Sequence, residues 1–92
     1  MLSEQQKWKG IIEKILKEKT KNPDKYIPYS IIILEDERYK QSKFFKISAT
    51  EKILDGKIVI NIEVPEGMTE NKEFLKIFEI GLLKAVKKND KS

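Results

Sequence analysis

The sequence predicts an α+β fold with the element order α-β-β-β-α, in which two helices pack on one face of a three-stranded antiparallel meander. Two observations predict it. Apolar residues recur at helical spacing near both ends of the chain. Runs rich in β-branched residues occupy its middle, where Asp55-Gly56 is a strong hairpin signal. The 92 residues predict a single domain, residues 1–92, with a short disordered tail at about residues 89–92.

The first helix is predicted from Ser3 to about Lys21. Ser3 and Gln6 have the spacing of a capping box, in which each side chain satisfies an amide of the other residue. Asn22-Pro23 ends the helix, because proline lacks the amide hydrogen that would continue the hydrogen-bond ladder. The apolar residues of the predicted stripe recur at steps of three and four, at Trp8, Ile11, Ile12, Ile15 and Leu16. Trp8 is therefore expected in the core.

The first strand is predicted from Tyr26 to Leu34. Its apolar run from Ile31 to Leu34 is typical of a strand that is covered on both faces. Pro28 cannot donate a hydrogen bond to a neighbouring strand, so this strand is expected at a sheet edge or to begin there. The following residues, Glu35 to Ser42, are expected to form a charged loop that carries the sole arginine, Arg38.

The second and third strands, Lys43 to Leu54 and Lys57 to Val64, form the predicted hairpin. A two-residue turn at Asp55-Gly56 sets a register that pairs Ile53 with Ile58 and Ala49 with Ile62. One face is then apolar, and its members are Phe45, Ile47, Ala49, Ile53, Ile58, Ile60, Ile62 and Val64. Glu51 is the exception on this face and suggests a bulge or a splayed hairpin end.

The final helix is predicted to extend to about Lys88. Pro65-Glu66-Gly67 ends the third strand, and Thr69 is the expected N-cap residue. The apolar face of this helix comprises Phe74, Ile77, Phe78, Gly81, Leu82 and Ala85. Ile80 and Leu83 fall on the otherwise charged side.

The composition argues against most catalytic chemistry. Without histidine or cysteine, the chain lacks the commonest general base, a thiolate nucleophile and the usual zinc ligands. Its glycines are scattered and form no phosphate-binding loop. The consecutive acids Glu35, Asp36 and Glu37 point in divergent directions and predict no metal site. We therefore expect neither an enzyme nor a bound cofactor.

The hydropathy pattern argues against a membrane protein. No apolar run approaches the ~18–20 residues of a membrane span, and Met1 to Lys9 lacks the apolar core of a signal peptide. A cytoplasmic protein is expected. The formal net charge is +4, and its excess falls in the two helical segments, whereas the strand segments together are close to neutral. Nucleic acid would then be expected on the helices, and a protein partner on the sheet.

Two groups of lysines are candidates for nucleic-acid binding. On the first helix, Lys7, Lys14, Lys17 and Lys21 lie within an arc of about 80°, along which a phosphate backbone fits. At the end of the final helix, the group is Lys84, Lys87 and Lys88. The alternatives are a solvated helix face for the first group and stabilisation of the helix macrodipole for the second.

Four residues are candidates for a partner interface. Phe44 and Lys46 lie on the strand face opposite Phe45, and an aromatic residue among lysines on an open sheet face suits a single-stranded nucleic acid, a protein partner or cross-strand support. Ile80 and Leu83 predict a contact of the final helix, with a homodimer as the leading interpretation and intrachain cover as the alternative.

The element order resembles that of two nucleic-acid-binding families. The last helix of the double-stranded-RNA-binding domain begins with a small residue and paired lysines, but the stretch from Gly67 to Lys72 carries only one lysine, so the likeness is one of topology. Ile62-Glu63-Val64-Pro65, followed by the stretch from Glu70 to Leu75, looks like the strand-to-helix junction of the homodimeric YbaB-type nucleoid-associated proteins. We assign the chain to neither family on these residues.

Together these observations predict a small non-catalytic binding protein. The leading expectation is nucleic-acid binding with weak sequence specificity through the helix lysines, because the shortage of arginine argues against bidentate reading of bases. The alternative is a protein–protein interaction module, such as a regulator, inhibitor or assembly subunit, that uses an apolar sheet face or a helix ridge.

Overall fold

The computed structural model of the chain describes residues 2–52 and 55–89. Its elements in chain order are α1 (Glu4–Lys19), a 3-10 turn (Pro23–Lys25), β1 (Tyr26–Leu34), α2 (Glu37–Lys40), β2 (Lys46–Lys52), β3 (Lys57–Pro65) and α3 (Lys72–Asn89). The α+β class is confirmed, and the stretch predicted as a charged loop contains the short α2. The predicted tail begins at Asn89, which is the last residue of α3, and its residues 90–92 lie outside the described part of the chain.

The sheet is mixed, so the predicted antiparallel meander is wrong. Its strand order is β1-β3-β2, with β1 parallel and β2 antiparallel to β3. The connection from β1 to β2 carries the chain to the opposite edge, and the hairpin then returns β3 to the centre. The centre suits β3, because the four alternate residues of its apolar face are all buried, at Ile58, Ile60, Ile62 and Val64. β1 lies at an edge, as Pro28 predicts.

The register of the hairpin differs by two residues from the predicted one. Ala49 lies opposite Ile60, and Lys52 lies opposite Lys57, so the turn is longer than two residues. Gly56 has a φ of 62° and donates its amide hydrogen to the carbonyl of Lys52 at 3.1 Å. The predicted pairings of Ile53 and Leu54 lie outside the described residues. Because side chains alternate with a period of two, this slip leaves the paired residues Lys46–Lys52 and Lys57–Glu63 on their predicted faces.

Both long helices begin at side-chain caps. The capping box of α1 is confirmed, with the amide of Gln6 donating to Ser3 Oγ at 3.2 Å and the amide of Ser3 donating to Gln6 Oε1 at 3.0 Å. α3 begins after Asn71, whose Oδ1 accepts the amide hydrogen of Phe74 at 3.0 Å. The prediction of Thr69 as its cap is therefore wrong, because residues 69 and 70 form a turn before the helix.

The core lies between the two long helices and one face of the sheet. Its buried members are Trp8, Ile12, Leu16, Tyr26, Ile58, Ile60, Ile62, Val64, Phe74, Phe78, Leu82 and Val86. Trp8 is fully buried, as predicted, and its ring centroid lies 4.8 Å from that of Phe78. The ring of Phe45 completes this aromatic cluster against Phe74 and Phe78. α1 and α3 lie side by side and run in the same direction, so their carboxyl ends meet at one end of the molecule.

The opposite face of the sheet is not covered by the helices. Ile27, Tyr29 and Ile32 of β1 are 40%, 66% and 49% exposed, so the prediction that β1 is covered on both faces is wrong. The pairing of β1 with β3 shifts between Pro28 and Ser30. This bulge places Tyr29 and Ser30 together on the uncovered side, where Tyr29 lies beside Val59 and Asn61.

Candidate functional site

A groove lined by lysines lies where the carboxyl ends of α1 and α3 meet. Its volume is about 630 Å³, and its lining comprises Lys19, Thr20, Lys21, Asn22, Lys25, Tyr26, Leu83, Val86 and Lys87. The local sequence explains this convergence. α1 ends at Lys19, Thr20 is its C-cap, and Pro23 starts the 3-10 turn that reverses the chain into β1. Lys19, Lys21 and Lys25 therefore come from the chain reversal between α1 and β1. Lys87 reaches the groove from the last turn of α3.

No carboxylate lines this groove among the described residues. Four lysines thus contribute to the lining, together with the apolar side chains of Leu83 and Val86 and the ring of Tyr26. Two helix carboxyl ends meet here, and their dipoles favour nearby cations by ~0.3–1 kcal/mol each. That field stabilises the lysines whether or not the groove holds an anion. The groove is nevertheless a place at which a phosphate group meets several positive charges from more than one element.

The structure divides the seven predicted nucleic-acid-binding lysines among several places. Lys21 and Lys87 are brought together in the lysine groove. Lys7 and Lys14 line a shallower depression of about 380 Å³ that runs along α1 from its amino-terminal turn, beside Thr69 and Glu70. Lys84 and Lys88 line a depression against β2, and Lys17 is exposed on α1. The members of the groove that the sequence reasoning missed are Lys19 and Lys25.

The uncovered sheet face is a second candidate surface. A depression of about 340 Å³ on this face is lined by Tyr29, Thr50, Glu51, Lys52, Val59 and Asn61. The ammonium of Lys52 lies 5.2 Å from the centroid of the Tyr29 ring, which is cation–π distance. Ser30 Oγ donates to Asn61 Oδ1 at 3.2 Å and ties β1 to β3 beside the ring. Sequence reasoning did not single out Tyr29. It follows Ile27 by two residues and so shares its face, and the bulge adds Ser30 to the same face.

Phe44 packs beside α2 at one end of the sheet. Its ring centroid lies 5.1 Å from that of Tyr39, and its side chain is 40% exposed. Asp36 caps α2 and pairs with Arg38 at 2.8 Å, so hydrogen bonds from Arg38 lower the pKa of the Asp36 carboxyl. Lys46, the other predicted interface residue of this pair, lies on the uncovered face opposite Glu63.

The two candidate residues on α3 differ in exposure. Ile80 is 57% exposed, whereas Leu83 is half-buried and forms part of the floor of the lysine groove. The predicted ridge is therefore reduced to Ile80, and Leu83 has the intrachain cover that was the alternative prediction. Among residues 2–52 and 55–89, no helix is both long and apolar enough to cross a membrane.

Comparison of the chain with models of known protein families, with curated proteins and with solved structures found no significant match. The two resemblances in element order therefore gain no support from these comparisons. The function has to be inferred from the surfaces described above.

Proposed function

We propose that this chain is a non-catalytic nucleic-acid-binding protein that holds backbone phosphates in the lysine groove. One observation carries the proposal, namely that Lys19, Lys21 and Lys25 from the end of α1 and the turn after it converge with Lys87 of α3 on one groove. Phosphates that bind lysines release condensed counterions, which is the main source of sequence-independent affinity for nucleic acids.

The side-chain chemistry favours weak sequence specificity. A lysine ammonium is a point charge, whereas base readout in the major groove relies most on the bidentate guanidinium of arginine. The sole arginine, Arg38, makes two side-chain hydrogen bonds to Asp36, at 2.8 and 3.1 Å. The expected ligand is therefore recognised by its charge and by the spacing of its phosphates.

A salt titration of binding tests the proposal. Fluorescently labelled duplex DNA, duplex RNA and single-stranded DNA of equal length are titrated with the protein from about 50 to 200 mM salt, and affinity is measured by anisotropy. The double substitution Lys21→Gln and Lys87→Gln is expected to weaken binding of each probe and to reduce the slope of log K against log salt by about 1 for each lysine.

The matched control is the double substitution Lys9→Gln and Lys76→Gln. It removes the same charge, one lysine from α1 and one from α3, at exposed positions outside the groove. Its slope is expected to stay close to that of the unchanged protein. Absence of binding to every probe at about 50 mM salt would end the proposal. Equal losses in the two double variants would assign the affinity to net charge and not to the groove.

A second candidate function is self-association through α3, supported by the exposure of Ile80. Its neighbours one turn away, Lys76 and Lys84, are charged and exposed, so an isolated large apolar side chain stands on a polar helix face. A second copy that packed α3 against α3 would cover it. Binding of a different protein at the same residue is the other form of this candidate.

A further inference from the structure

The uncovered sheet face combines an exposed aromatic ring with a border of lysines. By the register of the sheet, this face carries Lys46 and Lys52 of β2 and Lys57 and Glu63 of β3 as its charged strand residues. Lys52 and Lys57 lie directly opposite each other across the antiparallel ladder. Like charges in this position repel and destabilise the pairing, so an anion between them would be attracted by both. The repulsion between Lys52 and Lys57 therefore favours binding of an anionic ligand at this position.

The net charge of the uncovered sheet face is more positive than that of the strand segments as a whole. Glu35 and Glu66 lie outside the paired strands, and Glu51 lies opposite Ile58, on the side that faces the helices. The near-neutral charge of the strand segments is thus a sum over both faces of the sheet and over the residues between the strands. Once the register separates the two faces, the uncovered side carries three lysines and one glutamate. The expectation that nucleic acid avoids the sheet therefore does not follow from the charge of the segments.

The ring of Tyr29 is placed as a stacking platform. It is 66% exposed, one of the largest exposures among the bulky apolar and aromatic side chains. It borders the depression shared with Thr50, Val59 and Asn61. Asn61 accepts from Ser30 through Oδ1, and its amide hydrogens have no partner among the described residues. A nucleobase stacked on the ring would find hydrogen-bond donors at its edge and an apolar floor beneath it.

From this arrangement we propose that the uncovered sheet face binds single-stranded nucleic acid, with a base stacked on Tyr29 and phosphates held by Lys46, Lys52 and Lys57. The proposal rests on the nucleic-acid-binding function above and adds to it the strandedness of the ligand and a second contact surface. A duplex keeps its bases stacked inside and cannot offer one to the ring, whereas every base of a single strand has a free π-face.

Other occupants fit this face less well. A second copy packed face to face would bring two lysine borders together, which repel each other. Addition of a strand at the outer edge of β1 is hindered, because the carbonyl of Ile31 already accepts a hydrogen bond from Gln5 Nε2 at 3.0 Å. An acidic peptide matches the lysines but supplies no planar ring for Tyr29. The second copy and the acidic peptide are outcomes of the test.

The experiment compares three labelled probes of equal length: a single-stranded oligothymidylate, the same strand with abasic sugars, and an oligothymidylate–oligoadenylate duplex. The abasic strand keeps the phosphates and removes the rings. The protein is expected to bind the oligothymidylate at least about fivefold more tightly than the abasic strand. Stacking of a single base on an aromatic side chain raises the affinity by about this factor or more.

Three variants assign the effect to the sheet face. Tyr29→Ala is expected to remove most of the preference for the strand that carries bases, and Tyr29→Phe, which keeps the ring, is expected to retain it. Lys52→Gln is expected to weaken binding of both single strands. Glu51→Gln, which removes a charge from the helix-facing side of β2, is expected to change the preference for the strand that carries bases much less than Tyr29→Ala does. Far-UV circular dichroism checks that each variant is folded.

The outcomes separate this proposal from the more general one. If all probes bind, and Lys21→Gln weakens this binding but Tyr29→Ala leaves it unchanged, the sheet-face proposal is overturned. The lysine-groove proposal is then kept. Absence of any binding would end both. Equal affinity for the abasic strand, competition by poly-glutamate as strong as that of the oligothymidylate, or a dimer that Tyr29→Ala dissociates would each overturn the single-strand proposal.

Discussion

Replacement of Gly81 by alanine is expected to destabilise the protein, because the ring of Phe45 occupies the space that a methyl group would need. An ideal Cβ at residue 81 would lie 2.7 Å from Cζ of Phe45 and closer still to Cε2. Carbon atoms at optimal contact are ~3.5–4.0 Å apart, so the ring has to move. It is held edge-on against Phe74 and Phe78, at centroid distances of 5.9 and 5.8 Å.

The expected magnitude is the difference between two terms. Alanine favours a helix interior over glycine by ~1 kcal/mol. Overpacking of an occupied site costs ~1–3 kcal/mol. The net effect of Gly81→Ala is therefore a loss of up to ~2 kcal/mol in the free energy of unfolding. Gly10 is the matched control, because it lies inside α1 and a Cβ there would meet nothing within 4 Å. Gly10→Ala is expected to stabilise by ~0.5–1 kcal/mol.

Urea unfolding, followed by the fluorescence of the sole tryptophan, measures both variants. Trp8 is fully buried in the aromatic cluster and reports its opening. Because both variants make the same change within a helix, the difference between them isolates the contact with Phe45 at ~1–3 kcal/mol. Equal stabilisation by the two substitutions would refute the reasoning. In a Phe45→Ala background, Gly81→Ala should stabilise as Gly10→Ala does, and a persistent loss there would also contradict it.

Two further predictions concern α1 and α3. Ser3→Ala should lower the free energy of unfolding by ~1 kcal/mol, because it removes one half of the capping box; unchanged urea midpoints would show that the cap contributes little. Ile80→Lys should change stability by less than ~0.5 kcal/mol, since the side chain is exposed. If α3 mediates a dimer, light scattering should show the dimer dissociating in this variant, and an unaltered monomer in both proteins would exclude that interface.

The elements of this fold were predictable from local patterns, but the order of the strands was not. The spacing from Ser3 to Leu16, the helix stop at Pro23 and the hairpin signal at Gly56 each depend on residues close in sequence, and each marks a real element boundary or turn. Strand order depends on where the connection from β1 to β2 crosses the sheet. Hydrophobic periodicity reports which face of a strand is apolar, and it carries no information about its neighbours.

The lysine groove was predictable only in part for a related reason. Lys21 and Lys87 were assigned to separate groups, because their helices are distant in sequence and nothing local shows that α1 and α3 end together. Lys19 and Lys25 join them through the chain reversal at Pro23. That reversal is visible in the sequence as a helix stop followed closely by a strand. Taken with the parallel packing of the helices, it brings three lysines to one end of α1.

The uncovered face shows how two irregularities of the sheet have opposite consequences. The hairpin slip is two residues, which equals the period of a strand, so Lys46 and Lys52 keep the face that the alternation predicts. The bulge in β1 adds a single residue, and such a shift exchanges faces. Before the bulge Pro28 pairs with Ile60, and after it Ile31 pairs with Ile62, so Tyr29 and Ser30 share the uncovered side. Tyr29 keeps the face of Ile27, two residues before it, and the lysine border keeps its face because the slip equals the strand period. The break in the alternation adds Ser30, whose Oγ donates to Asn61 Oδ1 beside the ring.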